Sequence, residues 1–333
     1  MGSRITQLID LVRKLPEDCV EEAIAYIQEK LEESEEKKAT PPCPHCNGEK
    51  VMRNGRKKNR QRYICKGCGK TFGERTNTAI NQSHCGEAIW KQVISDTLSG
   101  VGLDETAESI GVSHSTAFYM RHKILLSLEA AENREPTVLD GVCELDDTYV
   151  LESRKGSKLP PDYWRRARKH GARAQRAGVS NEHVAICAGI QRDGSAFCQT
   201  VNRATPGKKD LVSIFGHRMG EEALILYDGA PSYAALGAKC ECPVKNVSEE
   251  GSKRGKGFYH INTANGFHSF IKQRYDQYRG VATKYLNRYN ALFAKTYRSD
   301  ADLIDEVYNI LISNITPLHR TVHDVKGLNL LEI

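Results

Sequence analysis

The stretch VCELDDTYV, Val142 to Val150, decides the fold. It is rich in β-formers and carries three acids within four residues, so it reads as a strand with work to do besides packing. Side chains alternate along a strand, which places Glu144 and Asp146 on one face and Asp147 on the other. Three further runs have the same character: HVAICAGI (183–190), AFCQTV (196–201) and ALILYDG (223–229). The turn QRDG joins the first two of these as a hairpin, and the helical stretch KKDLVSIFGHRM precedes the last. The expectation is an α/β domain over 137–298: three antiparallel strands, a crossover helix, a further strand in a mixed sheet, then more helices.

Within ALILYDGAPSY an apolar strand ends abruptly in Asp228, followed by Gly229, a position that projects a carboxylate from the sheet edge. Two aspartates from adjacent strands can bridge a pair of magnesium ions about 4 Å apart, the arrangement that activates a nucleophile in phosphoryl transfer. Strand-end acids alone fit a solvated surface better than a metal site. Further on, HINTANGFHSFIK (260–272) reads as the entry to a helix with Asn265 at its start and Lys272 two turns later on the same face. Asparagine there is also a preferred helix cap.

On the amino-terminal side, CPHCNGEKVMRNGRKKNRQRYICKGCGKTF holds Cys43-x2-Cys46, 18 residues, then Cys65-x2-Cys68. Two such knuckles brought together by a hairpin set four thiolates at the corners of a tetrahedron, the geometry of a closed structural zinc site. A zinc ribbon is therefore expected over 41–75, with Asn54-Gly55 as its hairpin turn. Its basic residues Arg53, Arg56, Lys57, Lys58, Arg60 and Arg62 are expected to face DNA phosphates. Between ribbon and α/β domain, apolar residues recur at helical spacing from Ile89 to about Leu128, with breaks at Gly100–Gly102 and Gly111. LDETAESIGVSHSTAFYMRHKI (103–124) fits a helix-turn-helix within a domain over 84–132. Gly111 is its turn and Ser113 or His114 its cap. Ser115, Thr116, Tyr119 and Arg121 are then expected in the major groove. Any small helical bundle can show the same spacing.

The 333 residues, 39% hydrophobic and 27% charged, suit a multidomain globular protein, and no apolar run approaches a membrane span. The amino terminus has charges inside an amphipathic pattern rather than a secretory signal, so a cytoplasmic location is expected. Eleven cysteines without such a signal point to metal rather than disulfides. The net charge of +6 is mild, but its distribution is not. Lys50 to Arg62 carries seven basic residues and no acid, and Arg154 to Arg176 nine against Asp162 alone. The second run falls in a basic insertion, 154–180, where Arg165, Arg166, Arg168 and Lys169 are further candidate DNA contacts. Tyr163 and Trp164 within it could stack on bases or pin the loop. Residues 1–40 and 299–333 read as accessory helical segments, the first suited to oligomerisation.

RYICKGCGKTF, STAFYMRHKI, LDDTYV, YDGAPSY and HINTANGFHSFIKQRY stand in the order seen in bacterial insertion-sequence transposases of the DDE superfamily. Over roughly 41–295 the chain most resembles the zinc-ribbon family numbered 1595. The resemblance implies an RNase H-like fold for the α/β domain, with Asp146 and Asp228 as ligands of catalytic Mg2+ or Mn2+. It puts Asn265 in the third ligand position, usually a glutamate in the superfamily, with Lys272 trailing it. An amide oxygen is a hard ligand that magnesium accepts, though it brings no charge. The implied function is a nucleoid-associated DNA transposase, a dimer or larger assembly, acting on double-stranded element ends and target. A catalytically inactive DNA-binding regulator is the competing reading.

Overall fold

The computed structural model describes residues 40–57, 60–81, 83–166, 173–192, 194–248, 257–299, 302–313 and 331. The helices expected in 1–39 lie outside them, as do Lys58, Arg168, Lys169 and most of the segment beyond Ser313. Two compact units divide at Thr76–Asn77.

The first unit is a three-stranded antiparallel sheet of β1 (Val51–Lys57), β2 (Arg60–Cys65) and β3 (Thr71–Gly73). Its small core is Cys43, Val51, Tyr63, Cys65 and Phe72, with the Tyr63 and Phe72 rings stacked at 5.4 Å. Asn54-Gly55 is not the hairpin turn. Both residues lie inside β1, where the register slips between Arg53↔Tyr63 and Arg56↔Gln61 as a bulge, and the chain reverses between Lys57 and Arg60.

In the second unit the helical and α/β segments share one core. Helix α1 (Glu87–Ser99), α2 (Leu103–Ile110) and α3 (His114–Arg134) follow the apolar spacing. Gly111 closes α2, and Ser113, not His114, caps α3 by accepting the Thr116 N–H at 3.2 Å. The small Ala107 is buried where α2 meets α3. The last carbonyls of α1 would otherwise be orphaned. They accept hydrogen bonds from Arg274 (to Leu98) and Gln277 (to Ser99, 2.7 Å) on helix α6 (Asn262–Gln277) and from Tyr278 (to Thr97), its C-cap residue.

The four expected strands form: β4 (Val142–Leu151), β5 (His183–Gln191), β6 (Ala196–Arg203) and β7 (Leu224–Tyr227). A fifth, β8 (Val244–Asn246), was not expected, because three residues carry no readable alternation. The sheet order is β6-β5-β4-β7-β8, antiparallel at β6-β5-β4 and parallel at β4-β7-β8. Helices α4 (Lys208–Phe215) and α5 (Pro231–Cys240) cover one face, packing on Cys143, Leu145 and Cys187. The other face, with Val184, Ile186 and Ala188, lies under α3, α6, α7 (Leu286–Thr296) and α8 (Leu303–Ile312). Three layers result, and each face of β4 meets a different set of helices.

Candidate active site

The parallel pairing of β4 with β7 aligns Val142 with Leu224, Cys143 with Ile225 and Glu144 with Leu226. Continued by two residues, that register brings Asp146 near Asp228, whose carboxylate acts on that of Asp146, and Asp146 itself faces α6. Asp228 is the first residue after β7 and is exposed. The loop that leaves it is held by Asn246 of β8, whose Oδ1 accepts from Gly229 N–H (3.0 Å) and Ser248 Oγ (2.7 Å).

Glu144, one alternation before Asp146, is fully buried. Its Oε2 accepts the main-chain N–H groups of Thr263 (2.7 Å) and Ala264 (3.0 Å), and its Oε1 accepts Arg192 Nε at 2.9 Å. His260 Nδ1 stands 3.4 Å from the same oxygen. A buried carboxylate on two N-terminal amides fixes where α6 begins and complements its dipole. Ile261 is the N-cap, so Asn265 is the fourth helical residue and not a cap; its own N–H bonds Ile261 O at 3.0 Å. The Asn265 side chain is exposed.

One turn beyond Asn265, His268 Nδ1 lies 3.7 Å from Asp146 Oδ2. Asn265, His268 and Lys272 follow at spacings of three and four, so they share the helix face that meets Asp146. Burial, with the Lys272 charge, pushes His268 down to about 4, and the ring is neutral near pH 7. Burial also lifts Asp146 to about 6, with the Asp147 and Asp228 carboxylates adding to the rise and Lys272 opposing it. This is a half-buried pocket with surplus negative charge, and oxygen donors crowded this way suit a hard divalent cation. Asp147 faces the opposite side, accepting from Tyr233 Oη at 2.5 Å, and burial raises its pKa. His268, Arg192, Asn246 and the anchoring role of Glu144 escaped the sequence reading, since only the register and the start of α6 bring them together.

In the ribbon the four thiol sulfurs lie within 4.8 Å of one another; among the described residues, no other set of three or more His, Cys, Asp or Glu gathers this closely. Cys43 and Cys68 stand 3.7 Å apart and Cys46 and Cys65 3.6 Å. A tetrahedron with arms of about 2.3 Å has an edge of about 3.8 Å, so the set is compatible with zinc. The main-chain N–H of Cys68 lowers the Cys65 thiol to about 7, while at Cys46 the Gly48 main-chain N–H is outweighed by the crowding of the neighbouring thiols, which push it up to about 12. The four sulfurs thus share their protons until a cation displaces them. Arg53, Arg56, Lys57 and Arg60 are exposed, while Arg62 is half-buried and donates to Thr71 Oγ1 at 2.8 Å.

The expected DNA contacts of the second unit divide. Ser115, Thr116 and Arg166 are exposed and Tyr119 is half-buried. Arg121 is only 3% exposed and donates to Val101 O at 2.7 Å, so it holds the α1–α2 turn instead of facing outward. Arg165 is likewise internal: it pairs at 2.8 Å with Glu152, itself buried, which also takes Arg203 (3.0 Å) and the Tyr163 hydroxyl. Tyr163 thus pins the start of the basic insertion, and Trp164 remains exposed.

No helix among the described residues is long and apolar enough to cross a membrane. The chain is 24% identical, over 75% of its length and 83% of the relative's, to an uncharacterized protein in transposable element ISH50 of Halobacterium salinarum. Among solved structures it is similar to the Mos1 transposase paired-end complex with left transposon end. That likeness has 12% identity and a TM-score of 0.27, covering 68% of this chain and 78% of the other. The mariner Mos1 paired end complex with Mg gives 14% identity, the same TM-score of 0.27, and coverage of 64% and 72%. Residues 138–300, which hold Asp146, Asp228 and the α6 face, match the ISXO2-like transposase domain.

Proposed function

We propose that the protein is a DNA transposase that cleaves the ends of its element and joins the freed 3′ hydroxyl to target DNA. The observation that carries this is the contact of Asp146 with the α6 face that bears Asn265 and Lys272, supported by the β4–β7 register, which when continued leads to Asp228. The strand order, with its first three strands antiparallel and the rest parallel to the first, supports an RNase H-like domain.

In this reading Asp146 and Asp228 hold the catalytic cations and Asn265 offers a neutral oxygen as the accessory ligand. Mg2+ or Mn2+, when bound, neutralises charge on the scissile phosphate and lowers the pKa of the attacking oxygen. Lys272 holds a DNA phosphate, and Glu144 keeps α6 at the right height over β4. The four cysteines bind zinc and fold the ribbon, whose exposed arginines meet DNA together with Ser115 and Thr116 at the start of a helix-turn-helix recognition helix. Arg166 of the basic insertion, and beyond the described residues Lys58, Arg168 and Lys169, add phosphate contacts. Work on paired ends calls for a dimer or larger assembly.

The test is magnesium-dependent cleavage and joining on a duplex carrying the element's own end. The natural protein is expected to do both, and Asp228→Ala and Asn265→Ala to lose both while still binding the duplex. Binding without cleavage in either magnesium or manganese would favour the regulator, for which the uncharged Asn265 is the specific pointer.

A further inference from the structure

A cavity of about 590 Å3 lies between the α2–α3 pair and the segment that follows α6. Five phenylalanine and tyrosine rings line it: Phe118 and Tyr119 from α3, and Tyr278, Tyr285 and Tyr289 from the other side. Lys155, Arg279 and Lys284 stand among them, and Asp104 and Glu105 form part of the opposite wall. Asp104 is engaged, with its Oδ1 2.5 Å from His114 Nδ1. The Lys155 ammonium donates to the carbonyls of Arg279 (3.2 Å) and Gly280 (3.3 Å), and Lys284 Nζ sits 5.0 Å from the centre of the Tyr285 ring. Burial and the charges of Arg288, Arg121 and Lys284 push His122, also in the lining, well below its usual range. A neutral ring in a positive field is therefore part of the wall.

A second cavity, of about 270 Å3, adjoins the first and shares Lys155, Ala282 and Lys284 with it. Its character is different. Arg154, Arg203, Ser153 and Ser157 replace the aromatic rings, and the carboxylate there, Glu152, is already matched by Arg165 and Arg203. An aromatic chamber beside a cationic one, with Lys155 and Lys284 common to both, matches a ligand with a flat π-face at one end and an anion at the other. Base–aromatic stacking and lysine or arginine contacts to phosphate are the two interactions by which proteins hold unpaired nucleic acid. The larger volume falls within the range of small-ligand pockets and is too confined for a duplex.

We propose that the two cavities together take one deoxynucleotide unit, its base among Phe118, Tyr119, Tyr278 and Tyr285 and its phosphate among Lys155, Lys284 and Arg154. The unit comes either from an unpaired stretch of a DNA strand or from a free nucleotide. The proposal rests on the DNA-binding half of the function proposed above and not on its metal chemistry.

The experiment uses the whole protein with its zinc and no added magnesium. Fluorescence anisotropy follows a labelled oligodeoxythymidylate and a labelled mixed-sequence duplex, with the natural protein, Tyr119→Leu, Tyr119→Phe and Lys284→Glu. Tyr119→Leu and Lys284→Glu are each expected to weaken the single strand about tenfold, the scale of one lost stacked base. Tyr119→Phe keeps the ring and keeps binding. Tyr119 is half-buried in the lining of this chamber and not set outward with Ser115 and Thr116, which takes it out of the major-groove set expected from sequence, so Tyr119→Leu leaves the duplex within about twofold. Competition by millimolar dTMP would identify a free nucleotide as the source; none, with the single strand still weakened, would identify a strand. Single-strand affinity unchanged in Tyr119→Leu and Lys284→Glu overturns the proposal. So does an equal loss for both DNAs in Lys284→Glu with no effect of Tyr119→Leu, which is a phosphate contact only. Failure of the natural protein to bind either DNA overturns this proposal and the DNA-binding reading beneath it, whereas duplex binding with an indifferent pocket overturns the proposal alone.

Discussion

Glu144 and Thr263, distant in sequence, meet through a buried carboxylate that accepts a main-chain N–H at 2.7 Å. With Ala264 N–H and Arg192 on the same side chain, this contact joins strand β4 to the helix that carries Asn265 and Lys272. Glu144→Ala would strand two helix amides and leave Arg192 without its carboxylate. A loss of about 3 kcal/mol in urea unfolding is expected, and about half that for Glu144→Gln, which still offers an oxygen. Stability unchanged in both variants would show that α6 is held in place by its apolar face alone.

How much of this was legible beforehand follows from range. Strands β4 to β7 were readable because each has its own run of β-formers, and the four cysteines because their spacing is itself the geometry. Asp146 and Asp228 stood out as acids at strand positions, but their alignment depends on the β4–β7 register, which no local pattern encodes. Arg121 and Arg165 were misjudged for a related reason. A basic residue in a basic run looks exposed until the fold supplies a partner, here Val101 O and the buried Glu152. The bulge in β1 was hidden by Asn54-Gly55, a strong turn signal that the register of Arg53 and Arg56 overrides.

Glu129, on α3, has a buried Oε2 with no hydrogen-bond partner among the described residues. Burial raises its carboxyl to about 7, against the opposing charge of Arg288. Between about pH 4.5 and 7 the folded protein keeps this proton while the unfolded chain has lost it, so stability falls as pH rises through that window. Glu129→Gln removes the dependence. The variant is expected to match the natural protein near pH 4.5 and to exceed it by about 1–3 kcal/mol at pH 8, after allowance for partial exposure. Urea titrations at the two pH values check this, and a gap that fails to widen with pH would refute it.

The ribbon's core of Cys43, Val51, Tyr63, Cys65 and Phe72 is too small to stand without a further tie. Cys65→Ser is expected to release one equivalent of zinc per chain and to collapse the amide dispersion of residues in 41–75, with the second unit still folded. Zinc content by a colorimetric chelator and an amide NMR spectrum read the two effects separately. A natural protein that carries no zinc, yet shows a dispersed ribbon spectrum, would remove the metal from the account.

Gly100, at the end of α1, adopts a left-handed backbone with φ of 76°, and a Cβ there would press into the Gln277 side chain. Gln277, with Arg274 of α6 and the C-cap residue Tyr278, caps the last carbonyls of α1, so this is where the helical segment grips the helix carrying the candidate site. Gly111 supplies an internal control: its φ is 69°, and a Cβ there meets nothing within 4 Å. Alanine at either position costs about 1 kcal/mol for the left-handed conformation. Gly100→Ala must also displace Gln277, and an additional loss of about 1–2 kcal/mol is expected from it alone. Because the displaced residue sits on α6, Gly100→Ala should also lower DNA cleavage while Gly111→Ala does not, measured on the same end-bearing duplex. Equal losses of stability and of cleavage in the two variants would mean that the α1–α6 contact does not couple the helical segment to the site.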